Sequence, residues 1–226
     1  MRGWISASAS VLISVAVLTG CKTQNENASL NTGTQPEKVS EPANSAPSET
    51  TRGLRVGDHV PDALLSTVDG REMQLSDIVG RAPLILAFYR GGWCPYCQGE
   101  LTEWQGHLDE VRGLGSELIA ITPEAPSKAQ ATMNKHDLGF PILSDVKGEA
   151  AAGFDLGFEV DQGTQKKYKG FGINLPEINA LHDWNLVIPA TYVVDADGII
   201  RYAYINEDYT KRADPDEVLD ALQSIE

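Results

Sequence analysis

Cys94 and Cys97 stand three residues apart in Trp93-Cys94-Pro95-Tyr96-Cys97, directly after Arg90-Gly91-Gly92. Two thiols at this spacing close a small ring when oxidised, so the pair can cycle between dithiol and disulfide. A cysteine in the first turn of a helix also meets unpaired backbone N–H groups and the positive end of the helix dipole. That environment lowers its pKa from ~8.5 into the range ~3.5–7.5. One sulfur then acts as nucleophile at neutral pH and the other resolves the adduct. Competing uses of the spacing fit less well. A zinc centre needs about four ligands, yet there is no second cysteine pair, and His59, His107, His136 and His182 are scattered. Covalent haem attachment requires histidine immediately after the second cysteine, where Gln98 stands. A purely structural disulfide across so short a loop would constrain the unfolded chain little. The expectation is a redox-active dithiol with no metal and no cofactor.

The elements that must position this pair can be read from the hydrophobic pattern. Leu84–Tyr89 (LILAFY) is a continuous apolar run, as in a strand buried on both faces, and it delivers the chain into the cysteine loop. Leu101, Trp104, Leu108 and Val111 then recur at helical spacing, with Gly113 and Gly115 as a stop. Trp104 at that spacing reads as core. Glu117–Thr122 (ELIAIT) is a second buried strand, and strand, helix, strand implies parallel pairing through a right-handed crossover. A helix over Ser127–His136, a strand over Phe140–Leu143 and a helix over Lys147–Phe154 follow. Phe158 to Trp184 has weak periodicity and reads as an insertion covering one side of the active site; His182 and Trp184 within it read as packing residues. Thr191–Val194 and Ile199–Ile205 flank Asp195-Ala196-Asp197-Gly198, a hairpin signal that makes the two aspartates turn residues. A final helix over Pro215–Ile225 has Asp214 as its N-cap. The pattern is α/β, a mixed sheet with helices on both faces.

The chain has 226 residues and a formal net charge of −14. Arg2, Lys22, Lys38 and Arg52 balance Glu26, Glu37, Glu41 and Glu49, so the whole excess lies on Gly53–Glu226. Such a surface argues against nucleic acid as a partner, because phosphate binding needs clustered Lys and Arg. Lys166, Lys167 and Lys169, in what reads as a loop, are the nearest approach to a cluster.

Residues 1–20 read as a signal peptide. A short charged start precedes an apolar stretch of about 15 residues, below the ~20 that a spanning helix needs. Leu18-Thr19-Gly20-Cys21 resembles the bacterial lipobox, which implies cleavage before Cys21 and lipidation of its sulfur. Lys22 after that cysteine favours outer-membrane sorting, so the expected location is the cell envelope, with a periplasmic domain held to the membrane by its lipid anchor alone. Residues 21–52 carry no aromatic residue and many Asn, Thr, Ser, Glu and Pro, the composition of a disordered tether. Such a tether spans roughly 30 Å root mean square. Residues 53–226 form the folded domain.

Phe88–Cys97 (FYRGGWCPYC), with Leu75-Ser76-Asp77, Phe140–Asp145 (FPILSD) and Val187–Arg201 (VIPATYVVDADGIIR), resembles the peroxiredoxin-like branch of the alkyl hydroperoxide reductase/thiol-specific antioxidant family. The resemblance implies a thioredoxin-like fold, a mixed central sheet flanked by helices, with peroxiredoxin-type additions. It sets Cys97 at the peroxidatic cysteine of the Pro-x-x-x-Thr-x-x-Cys motif, Cys94 at the threonine and Arg90 at the proline. Pro189 stands where the family carries an arginine, and Ile188-Pro189 resembles the thioredoxin loop whose cis-proline lies against the disulfide. Two mechanisms are therefore open. In a thiol-dependent peroxidase, Cys97 attacks hydrogen peroxide or an organic hydroperoxide, Cys94 resolves, Arg90 supplies the cation, and a thioredoxin-like or other thiol reductant restores the pair. In a thiol–disulfide oxidoreductase acting on envelope proteins, Cys94 attacks and Cys97 resolves, with Trp93, Pro95, Tyr96 and Pro189 lining the partner groove. A non-catalytic tethered binding module is the third reading.

Overall fold

β3 (Leu84–Phe88) is buried at every residue because it lies in the middle of a sheet with packing on both sides. It pairs in parallel with β4 (Glu117–Thr122) and antiparallel with β8 (Ala190–Val194). A computed structural model describes residues 51–225, all within one compact unit. The segment read as a signal peptide, Cys21 and nearly all of the segment read as a tether lie outside the described residues. The sheet has seven strands in the order β2-β1-β5-β4-β3-β8-β9, with β1 (Leu64–Thr67), β2 (Glu72–Gln74), β5 (Ile142–Ser144) and β9 (Ile200–Ile205) completing it. Only β3/β4 and β4/β5 are parallel. The sheet is mixed, as expected.

Alternation along β3 explains its continuous apolar run. Ile85 and Ala87 enter one core with Leu101, Trp104, Leu108 and Val111 of α1 (Pro95–Gly113), Ala129 of α2 (Pro126–His136) and Val218, Leu219 and Leu222 of α6 (Pro215–Gln223). Leu84, Leu86 and Phe88 enter the other with Ala150 of α3 (Glu149–Gly153), Phe154, Leu65 of β1 and Leu75 in the 3-10 turn just after β2. Trp104 is 2% exposed, which settles it as core. Asp214 caps α6 by accepting from the Asp216 N–H. Asp195 accepts from the N–H groups of Asp197 and Ile199 and from Arg201, and so holds the β8–β9 turn.

The segment between β5 and β8 is more ordered than its sequence suggests. β6 (Gly157–Glu159) pairs with β7 (Asn185–Val187), and α4 (Gln162–Gly170) and α5 (Leu175–Ile178) lie between them. Lys166, Lys167 and Lys169 are on α4, in a helix and not in a loop, and Lys169 lies over the Trp184 ring at 5.1 Å. Val160, Leu175 and Leu186 form a small core of their own, against which Trp93, Tyr168, Ile173 and Trp184 pack. This ties the insertion to the cysteine loop through Trp93. β5 begins two residues later than the sequence pattern suggests, after Pro141, which has no N–H to give to a ladder. Among the described residues no helix is long and apolar enough to cross a membrane.

Candidate active site

β3 ends at Phe88 and the chain turns through Arg90, Gly91 and Gly92 before α1 begins. Gly91 has φ +146°, and a Cβ on Gly92 would lie 1.9 Å from Oγ1 of Thr132, so both positions admit only glycine in this backbone. Glu124, at the end of β4, accepts the Gly92 N–H at 2.9 Å. Cys94 is the N-cap of α1 and Pro95 opens its first turn, where a missing N–H is harmless. This places Cys97 one turn into the helix with its sulfur facing the core. Both cysteines are free thiols; Cys94 is 2% exposed and Cys97 is fully buried.

Two guanidinium groups flank the sulfurs. Arg212, in the loop before α6, donates from Nη2 to Cys97 Sγ at 3.4 Å and from Nε to Glu100 at 2.6 Å. α6 packs on the same core as α1, which brings this loop over the start of the cysteine helix. Arg90 is buried at 3% exposure and sits among rings: its guanidinium carbon is 5.0 Å from the Trp93 centroid, 5.9 Å from that of Tyr168 and 4.1 Å from that of Tyr209. Its Nη2 also donates to the Tyr168 hydroxyl. Tyr96 and Tyr209, both half-exposed, meet edge to face at 5.8 Å and form the outer rim.

These charges separate the two thiols. The Cys97 thiol directed at the Cys94 sulfur, then the Cys97 backbone N–H and the charges of Arg90 and Arg212, lower the Cys94 pKa to about 6 against the opposing effect of burial. The proton shared with Cys94, burial and the Cys94 charge push Cys97 well above the ordinary thiol value. Of the pair, Cys94 is the more acidic thiol and Cys97 the less acidic one. Burial raises Glu100 to about 7 despite the Arg212 contact. Glu124 is likewise raised to about 7, chiefly by burial.

The Glu124 shift has a consequence for stability. Between pH 4.5 and 7 the folded chain holds a proton on Glu124 that the unfolded chain has released, so stability falls as pH rises through that window. Glu124→Gln should remove up to one proton from the release that accompanies urea unfolding between pH 5 and 7.5, and lessen the fall in stability across that range by a few kcal/mol at most. An unchanged slope would show that Glu124 is ionised throughout.

The structure thus brings Cys94, Cys97, Arg90, Trp93, Pro95 and Tyr96 together as the sequence suggests. Pro189 is buried just before β8, where Ala190 pairs with Phe88, so it lies level with Tyr89 at the same end of the sheet as the cysteines. Glu100, Glu124, Tyr168, Tyr209 and Arg212 were not singled out from sequence. Glu100 carried a signal, a carboxylate one turn from Cys97 within an apolar stripe; the others stand far from the cysteines in the chain. His182 is exposed, its Nδ1 2.9 Å from the Pro176 carbonyl oxygen, and takes no part. Among the described residues no group of His, Cys, Asp and Glu is arranged to hold a metal ion.

Residues 56–203 match the AhpC/TSA family. Peroxiredoxin Bcp of Escherichia coli (strain K12) is 25% identical over 170 residues, which is 75% of this chain and 96% of that protein. The 2-Cys peroxiredoxin BAS1 of Hordeum vulgare is 24% identical over 181 residues, covering 76% of this chain and 75% of that one. Among solved structures, the peroxidoxin BcpB from Mycobacterium tuberculosis superposes with a TM-score of 0.60 at 20% identity, over 76% of this chain and 99% of that one. At that identity the superposition bears on the fold, and the fold agrees.

Proposed function

Because the chain belongs to the AhpC/TSA family, we propose that it is a thiol-dependent peroxidase in which Cys94 and Cys97 pass through a two-thiol cycle. The Cys94 thiolate attacks the terminal oxygen of a hydroperoxide. An S–O bond forms, the O–O bond breaks, and the peroxide leaves as an alcohol or water once its oxygen is protonated. The Cys97 thiol then displaces hydroxide from the Cys94 sulfenic acid, giving the Cys94–Cys97 disulfide and water. An external dithiol of the thioredoxin type reduces that disulfide and is itself oxidised. This puts the first attack on Cys94, whereas the motif register alone would put it on Cys97. The lowered pKa of Cys94 and the complete burial of Cys97 support that order.

The observation that carries the choice of electrophile is the burial of both cysteines, at 2% and 0% residue exposure, with their neighbour Tyr96 packed against Tyr209. A hydrogen peroxide or small organic hydroperoxide molecule reaches such buried cysteines more readily than a disulfide held in a folded protein. Pro189 at the cysteine end of the sheet and the low pKa of the first cysteine favour the second reading, thiol–disulfide exchange with envelope proteins. A coupled assay separates the two. With a thioredoxin system as electron source, the chain should draw electrons only when peroxide is present. Electron flow to a protein disulfide without peroxide, and none to peroxide, would establish the exchange reading.

The lipid anchor belongs to the same proposal and rests on Leu18-Thr19-Gly20-Cys21. Cleavage before Cys21 and acylation of its sulfur would hold the domain to a bacterial envelope membrane, the outer membrane by virtue of Lys22, with the domain facing the periplasm. Cys21→Ala should abolish incorporation of labelled fatty acid and release the protein to the soluble fraction. Persistence of the label in that variant would contradict the anchor.

A further inference from the structure

Peroxide cleavage sends an electron pair onto the leaving oxygen, and that oxygen needs a proton. A hydroxide or alkoxide is a strong base, its conjugate acid near pKa ~15.7 for water against ~10 for a phenol. Transfer from a phenol to that oxygen is therefore downhill. Neither guanidinium can supply the proton, since arginine stays ionised in proteins. Arg212 is moreover engaged with Glu100, Cys97 and the carbonyls of Tyr209 and Lys211.

Tyr168 can supply it. It stands on α4 in the insertion, and its ring packs at 5.5 Å from that of Trp93, the residue before Cys94. Its hydroxyl oxygen accepts from Arg90 Nη2, which leaves the O–H proton free to be given elsewhere; among the described residues that hydroxyl donates to no protein acceptor. Burial raises its pKa, Arg90 opposes that rise, and the Tyr209 hydroxyl and the Cys94 sulfur add to it, so the phenol is protonated at rest and lies within the field of the attacking thiolate. The Arg90 guanidinium in turn lies ready to stabilise a phenolate. Tyr209 is differently placed: it offers its ring face, and not its hydroxyl, to Arg90 at 4.1 Å.

We infer that Tyr168 is a catalytic residue of the peroxidase, its O–H protonating the oxygen that leaves when the Cys94 thiolate attacks; this role rests on the peroxidase reading above. In that step the S–O bond forms and the O–O bond breaks. Sulfur is oxidised to sulfenic acid, the peroxide is reduced to water or alcohol, and the Tyr168 phenolate, paired with Arg90, recovers its proton from solvent. The insertion between β5 and β8 thereby supplies chemistry as well as cover.

Tyr168→Phe in the full chain keeps the ring and removes only the hydroxyl. The prereduced protein is mixed in single turnover with hydrogen peroxide or tert-butyl hydroperoxide, and separately with iodoacetamide, whose iodide leaves without a proton. The peroxide rate constant should fall about 10²-fold, the scale of a lost general acid, and further with tert-butyl hydroperoxide than with hydrogen peroxide. Alkylation should stay within about twofold of wild type, because the Cys94 thiolate is intact. Peroxide and alkylation rates that fall together would overturn the role by making Tyr168 a support for the thiolate. A peroxide rate equal to wild type would overturn it outright. A wild-type chain no faster than free cysteine would instead fail the peroxidase reading, and this role with it.

Discussion

Cys94→Ser is expected to abolish the fast reaction of the prereduced chain with hydrogen peroxide, by about three orders of magnitude or more, the scale on which loss of a covalent nucleophile acts. Cys97→Ser should behave differently. Its Cys94 still has the Arg90 and Arg212 charges beside it, so peroxide is still consumed once, but the product stops at a sulfenic acid that a selective probe traps. No intramolecular disulfide can then form. The serine hydroxyl can still donate toward the Cys94 sulfur, so in this variant the rate should rise with pH at a midpoint near that of wild type, whereas Cys97→Ala, which removes the donor, should move the midpoint up. In wild type the rate climbs as pH passes about 6 and then levels, because the reactive species is the thiolate. Mass spectrometry of the two variants after one equivalent of peroxide decides the assignment. A Cys94→Ser chain that reacts at the wild-type rate and carries the new oxygen on Cys97 would return the first attack to the position given by the motif register.

The second large effect concerns Arg212. Its side chain is 12% exposed and that of its partner Glu100 is 5% exposed, so the pair is shielded from water. Removing one member of such a pair leaves a buried charge without compensation, at a cost of about 3–5 kcal/mol. Arg212→Met should destabilise the reduced protein by that amount at pH 8 in urea unfolding. At pH 5, below the Glu100 value of about 7, the carboxyl is protonated in the folded state and the loss should be smaller. Adding Glu100→Gln should recover most of the loss at pH 8, since the neutral amide needs no cation. A single variant as stable as wild type at pH 8 would mean that Glu100 is already neutral there and that Arg212 serves the sulfur alone.

The contrast between Cys94 and Arg212 shows which parts of such a site a sequence exposes. Leu84–Tyr89 and Glu117–Thr122 were readable because strands packed on both faces need an apolar residue at every position, and the α1 stripe because one helical face must meet the sheet. The β1–β2 hairpin went unread although Asp69-Gly70 carries the same turn signal as Asp197-Gly198. Its strands are short and β2 exposes two of its three residues, so no alternation stands out. The insertion is legible as an insertion, but the short elements inside it are not, for a different reason. Its small core draws Val160, Leu175, Leu186, Ile173 and Trp184 from several short elements and closes only against Trp93, so no single segment shows a period. At the site, Arg90, Trp93, Cys94, Pro95, Tyr96 and Cys97 fall within eight residues, and their chemistry is visible in one window. Arg212 meets Cys97 across 115 residues and Tyr168 meets Arg90 across 78, contacts that only the folded topology creates.

The proposal that the Cys94–Cys97 pair is a peroxide-reducing dithiol is tested most directly by one single-turnover experiment. The prereduced chain is mixed with one equivalent of hydrogen peroxide at pH 7, with the change in tryptophan fluorescence giving the rate and the mass of the product giving the chemistry. The account predicts a rate far above that of free cysteine, consumption of the Cys94 and Cys97 thiols, and one Cys94–Cys97 disulfide per chain. A rate equal to that of free cysteine, with both thiols still present when free cysteine in the same buffer is half consumed, would contradict it.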